Sequence, residues 1–192
     1  FDLFKQRLGI GECVERTWES PFNYWEQGCF YLPQMPPPAN NTAVHTHNVI
    51  EKVWPLINAA GGRTFVLCTS LAAVRAAADE LQARLEANGN PYPLFVQGDG
   101  PKMRLIEEFR AHGNAVLVGS MSFWEGVDVK GEALSLVVID KIPFAPPNDP
   151  VMMARSRAVE ASGRRPFDEI TLPEAVITLK QGAGRLIRSE GD

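Results

Sequence analysis

Two arginines three positions apart, Arg185 and Arg188, close a glycine-broken run, Lys180-Gln181-Gly182-Ala183-Gly184-Arg185-Leu186-Ile187-Arg188. Guanidinium groups hold a permanent charge on a fork of donors, and glycines such as Gly184 let the backbone come close to a ligand. Together they suit a clamp on a transferring phosphoryl group, where charge builds up in the transition state. A glycine-rich helix end with its arginines on surface carboxylates would carry much the same letters. A second stretch, Ser120-Met121-Ser122-Phe123-Trp124-Glu125-Gly126-Val127-Asp128-Val129-Lys130-Gly131, crowds hydroxyls, two aromatics, two carboxylates and two glycines into one connection. A solvated link needs none of this, so the combination marks a working loop. Ser70 is the third candidate. It follows an apolar run and stands where a helix N-cap belongs, so its hydroxyl and the free helix N–H groups can face a phosphate.

These residues must be held by a sheet. Ala115 to Gly119 and Ser135 to Asp140 are continuous rather than alternating apolar runs, which is what strands covered on both faces need, so both are expected in the middle of a parallel sheet. Thr64 to Thr69 is the clearest strand, Tyr92 to Gln97 another, and the proline-bracketed aromatic stretch at Cys29 to Leu32 a further one. Helical spacing predicts His45 to Ala60, stopped by Gly61-Gly62, then Leu71 to Ala87, Pro101 to Ala111, Val151 to Ala161, and Pro173 to Gln181 with Pro173 at the first helical position. Phe1 to Glu19 has a short helical pattern ended by Gly9 and Gly11. His45 and His47, two apart, point to different helix faces and are expected to be solvated. Strands alternating with helices give an α/β fold, a parallel sheet flanked by helices with right-handed crossovers, and ligands bind at the carboxyl ends of such strands.

The 192 residues fit one domain, 1–192, with a core that needs no metal or disulfide. Met35 to Asn41 is a stiff proline-rich connection, too short to separate two cores. Cys13, Cys29 and Cys68 show no CxxC spacing and no clustered histidine, so no metal site is expected and a reducing cytoplasm suits them. No apolar run reaches the roughly 18 residues of a membrane span. A net charge of −4 argues against a freestanding nucleic-acid binder working by bulk charge. The distribution is uneven, because Arg155, Arg157, Arg164, Arg165, Lys180, Arg185 and Arg188 outnumber Glu160, Asp168, Glu169 and Glu174, so one face can still be basic. The chain opens at Phe1 inside a helical pattern and stops just after a motif, and a fragment of a longer protein is therefore expected.

Several chemistries are excluded. Gly98-Asp99-Gly100-Pro101-Lys102 lacks the P-loop spacing, Gly182 to Ile187 lacks the third glycine of a dinucleotide fingerprint, and no Ser-His-Asp or Cys-His set is suggested. No complete catalytic apparatus can be assembled from this chain alone. Two other function classes stay open. One is a docking module using the aromatic, proline-rich segment from Phe22 to Pro38; the other is an unrelated nucleotide-binding enzyme, against which the missing phosphate cradle counts.

Gln181-Gly182-x-Gly184-Arg185-x-Ile187-Arg188 resembles the last helicase motif of the XPD/DinG branch of superfamily 2, Ser120 to Asp128 its fifth motif, and Phe65-Val66-Leu67-Cys68-Thr69-Ser70 its fourth. Asp140 to Pro150 stands between the fifth motif and the last, and the likeness, greatest to the bacterial DinG and YoaA group, covers nearly the whole chain. The resemblance implies the second RecA-like motor domain of an ATP-dependent 5′ to 3′ DNA helicase, with ATP and Mg²⁺ bound mainly by a first domain. In most members that first domain also carries an iron–sulfur cluster held by four cysteines, none of which this chain supplies. It implies Arg185 and Arg188 as arginine fingers, Gln181, Gly126, Asp128 and Gly184 at the nucleotide, and Ser70, Ser120 and Ser122 on single-stranded DNA. Ser120 stands where the family has threonine, and the hydroxyl survives. Further implications are replication or repair proteins as partners, DNA repair or replication restart as the setting, and inactivity of this domain by itself. Phe123 and Trp124 offer faces for base stacking, although burial is the usual fate of large apolar side chains.

Overall fold

The computed structural model of the chain describes residues 4, 5, 8–36, 41–120, 123, 131–146, 148–184, 186 and 187. Four parallel strands, β1 (Thr64–Cys68), β2 (Leu94–Val96), β3 (Val116–Ser120) and β4 (Leu136–Ile139), stand in the order β2-β3-β1-β4. Every residue of β1 and β3 is buried, whereas β2 and β4 are largely half-buried. Of the two runs expected in the middle of the sheet, Ala115 to Gly119 lies in the central pair, covered on both faces. β4 departs from expectation: it is an edge of the four strands. The helices Thr42–Ala59 and Leu172–Ala183 both pack against it, and its residues stay largely half-buried.

Alternation along the strands sends side chains to two cores. Val66, Cys68, Val116, Val118 and Val138 meet helix α1 (Thr42–Ala59) through Val49, Ile50, Val53 and Ile57, and helix α2 (Leu71–Ala87) through Ala73, Val74, Ala77 and Leu81. Phe65, Leu67 and Leu117 face the other way, onto Leu105, Ile106 and Phe109 of α3 (Lys102–His112), with Phe123 and Leu134 completing the cluster. The helix ends follow local rules. Asn41 Oδ1 accepts from Ala43 N at 2.9 Å, and α1 stops at Gly61 and Gly62, whose φ values of +63° and +82° suit only glycine without strain. Asp149 Oδ1 accepts from Met152 N at 2.8 Å and Pro150 opens α4 (Pro150–Ala161), so the Asp-Pro pair works as cap and first turn. A π-helical turn at Phe167–Thr171 leads into α5 (Leu172–Ala183), which starts one residue before the expected Pro173.

The strand expected at Cys29 to Leu32 does not form. The segment pairs with neither edge of the four-stranded sheet, and Phe30 and Leu32 are left 84% and 81% exposed. The helical pattern expected from Phe1 lies partly outside the described residues, as does the proline-rich connection at 37–40. The N-terminal segment nevertheless touches the far end of the chain. Gly28 sits so close to Ile187 that a Cβ there would lie 3.3 Å from Ile187 Cδ1.

Candidate functional site at the strand exits

In register, Cys68 of β1 lies beside Ser120 of β3, so the two strands end side by side. Ser70, two residues beyond, is extended and exposed, and its Oγ accepts from Ala73 N at 3.2 Å. The expected cap is therefore made. Because that oxygen accepts the helix bond, the hydroxyl proton remains to be donated outward, next to the free N–H groups of the first turn of α2.

The β1 exit is also held from β4. Asp140, buried at the end of that strand, accepts from Thr69 N with Oδ1 at 2.9 Å and from Thr69 Oγ1 with Oδ2 at 3.4 Å. Its N–H donates to Leu67 O at 3.1 Å. Its carbonyl accepts from His45 Nε2 at 3.0 Å, which requires the proton on that nitrogen. His45 is thus buried, not solvated as its spacing suggested, because it shares an α1 face with Val49 and finds a partner at the end of β4. His47 does lie exposed, paired with Glu80 at 3.1 Å. Burial pushes the Asp140 carboxyl above the usual carboxylate range, against the opposing pull of Lys141, the Thr69 donors and His45. Burial and the nearby Asp140 charge likewise push the Cys68 thiol up to about 12, so it stays protonated and unreactive at neutral pH.

The β3 exit is fixed differently. Ser120 is buried, and its N–H donates to Gln97 Oε1 at 2.6 Å, while Gln97 N donates to Val118 O at 2.9 Å. Phe123 folds back over Gly119, where a Cβ would lie 3.0 Å from its ring, and stands edge-on to Phe65 with Lys102 Nζ 5.6 Å from its centroid. Phe123 is therefore core rather than a stacking platform.

Gln181 and Gly184 are exposed at the end of α5, where Gly184 N–H donates to Lys180 O at 2.9 Å and a Cβ on Gly184 would meet that same oxygen at 3.0 Å. Beyond them Leu186 packs on the cluster that holds Phe123, and Ile187 is buried. Arg185, Arg188, Ser122, Gly126, Asp128 and Trp124 lie outside the described residues. Three of the seven cations of this region are paired among the described residues: Arg155 with Glu174, Arg164 with Glu169 and Arg165 with Asp168. Among the described residues no three His, Cys, Asp or Glu side chains gather as a metal site, and no helix is long and apolar enough to cross a membrane. Cys13 and Cys29 are exposed and Cys68 buried, so the three thiols do not converge.

Asp140, His45 and Gln97 went unnoticed as site residues in the sequence. Asp140 alone gave a signal, as the one charge closing an otherwise apolar strand.

Residues 53–192 match the helicase C-terminal domain family. The chain is 44% identical over its full length to the ATP-dependent DNA helicase YoaA of Haemophilus influenzae and 43% identical over 98% of its length to YoaA of Escherichia coli, covering 29% of each. It is 40% identical over 90% of its length to the ATP-dependent helicase DinG of Mycobacterium tuberculosis, covering 25% of that protein. It thus spans under a third of the length of these curated relatives. On this match and on its helix-flanked parallel sheet, the chain belongs to the helicase C-terminal domain family, in the company of the DinG and YoaA helicases.

Proposed function

We propose that residues 1–192 form one RecA-like unit, the second motor domain of an ATP-dependent 5′ to 3′ DNA helicase acting in DNA repair or replication restart. ATP with Mg²⁺ is bound mainly by a first motor domain elsewhere in the polypeptide. Arg185 and Arg188 reach it as arginine fingers, stabilising charge on the transferring phosphoryl group, while Gln181, Gly184, Gly126 and Asp128 line the nucleotide side. Ser70, Ser120 and Ser122 contact the backbone of single-stranded DNA. Hydroxyls and helix N–H groups at strand ends hold phosphates without reading bases, as a translocating motor requires. The cysteines here do not suit an iron–sulfur site, so any cluster of the full-length protein is held by other residues.

One packing arrangement supports this reading above the rest. Leu186, which stands between the two arginines in the sequence, and Phe123, from the loop after β3, pack in one cluster on one face of the sheet. The test is DNA-stimulated ATP hydrolysis by the full-length protein. Arg185→Ala should lower kcat by about 10³ or more, in the range of arginine fingers, and leave DNA binding largely in place. Near-normal turnover in that variant overturns the assignment. Residues 1–192 alone should neither hydrolyse ATP nor bind it tightly, as calorimetric titration would show.

A second reading has an observation of its own. Trp18, Trp25, Phe30 and Leu32 are 78–96% exposed along one segment, the kind of apolar surface that docks a repair or replication protein. If the domain is a docking module without motor activity, wild type shows no DNA-stimulated hydrolysis and the arginine variants leave docking intact.

A further inference from the structure

Both carboxylate oxygens of Asp140 are engaged by one residue of the neighbouring strand exit, Thr69, through its N–H at 2.9 Å and its hydroxyl at 3.4 Å. The backbone of Asp140 is fixed from two further sides, by Leu67 O at 3.1 Å and His45 Nε2 at 3.0 Å. Three elements, β1, β4 and α1, therefore meet at one residue, Asp140, whose carboxylate holds the residue immediately before Ser70. A buried charge is a costly way to join two strand ends, since a neutral or apolar side chain of similar volume is often no less stable. What a doubly accepting carboxylate adds is orientation. It fixes the amide and the hydroxyl rotor of Thr69 together, and so the direction in which the next residue presents its own hydroxyl.

We propose that Asp140 is a positioning residue for the DNA contact at Ser70, a latch on the β1 exit whose backbone is steadied by His45. The inference rests on the reading of Ser70 as a contact to DNA phosphates. Without the latch, Ser70 still caps α2, because that bond is local, and the domain still folds. The hydroxyl is then no longer pre-aimed, and DNA affinity falls while turnover on saturating DNA is kept.

The experiment is ATP hydrolysis by the full-length protein against a titration of a thymidine 30-mer, separating the half-saturating DNA concentration from the maximal rate. Asp140→Ala should raise the half-saturating concentration about tenfold, as loss of a buried charge-assisted hydrogen bond does, with the maximal rate within about twofold of wild type. Asp140→Asn keeps an acceptor for Thr69 N–H and should recover most of the loss. Should Asp140→Ala fail to fold, Thr69→Val and His45→Ala each remove one anchor and should give the same split at about threefold. Ser70→Ala separates the two claims. If it weakens DNA activation while folded Asp140 and Thr69 variants do not, the latch is overturned and the contact stands. If Ser70→Ala has no effect, the contact is absent and the latch falls with it. An equal loss of maximal rate in Asp140→Ala and Asp140→Asn also overturns the proposal, since positioning for DNA predicts an affinity effect and rescue.

Discussion

The two strand exits present hydroxyl groups at the same edge of the sheet by opposite physical means. At β1, Thr69 and Ser70 are held by a buried carboxylate and a helix cap, so the geometry depends on charge and hydrogen bonds. At β3, Ser120 has its N–H on a neutral amide, and the ring of Phe123 is pressed onto Gly119. The difference teaches that one exit is tuned by electrostatics and the other by shape. Substitutions should therefore fail in different ways.

The largest effect is expected at the shape-determined exit. Phe123→Ala removes a buried ring from the cluster of Phe65 and Phe109 and should cost about 3–4 kcal/mol in chemical denaturation, independent of pH. Gly119→Ala places a Cβ against the same ring and should cost about 1–2 kcal/mol, and a stability equal to wild type would show that the ring can move aside. At the other exit, Ser70→Ala loses a cap on an exposed helix start and should cost about 1 kcal/mol, again without pH dependence. The smallest change separates the exits most sharply. Asp140→Asn should be neutral or stabilising by about 1 kcal/mol at pH 7, because it removes a desolvated charge. The folded carboxyl titrates above its unfolded value, so protonation favours the fold, and Asp140 adds stability below its unfolded pKa that is lost as pH rises through the folded one. The advantage of Asn over Asp in melting temperature should therefore shrink as pH falls from neutral through that window, and a pH-independent difference would break the comparison.

What the sequence disclosed is what local rules decide. The buried runs at Thr64 and Val116, the cap at Ser70 and the glycine stop after α1 depend on neighbours a few residues away, and all were readable. His45 was not, because its burial depends on a carbonyl at Asp140, far along the chain, which spacing on its own helix cannot reveal. Cys29 to Leu32 failed for a related reason: its composition suits a strand, but a strand forms only where a distant edge is met in register, and the segment pairs with neither β2 nor β4. Asp140 and Gln97 acquire their roles only when parallel strands are laid in register, which brings the exits of different strands into hydrogen-bonding range.

The contact between Gly28 and Ile187 carries a consequence for how the domain comes into being. On the ribosome the aromatic segment around Gly28 emerges before its partner at Ile187, by an interval of roughly 10–30 s at about 5–20 residues per second. The sheet and its helices can form within that interval, since β1 to β4 and their covers lie between the two. Docking of the segment around Gly28 then follows formation of the sheet. Trp18, Trp25 and Phe30 stay exposed after that docking, so they are open to neighbouring chains before and after it.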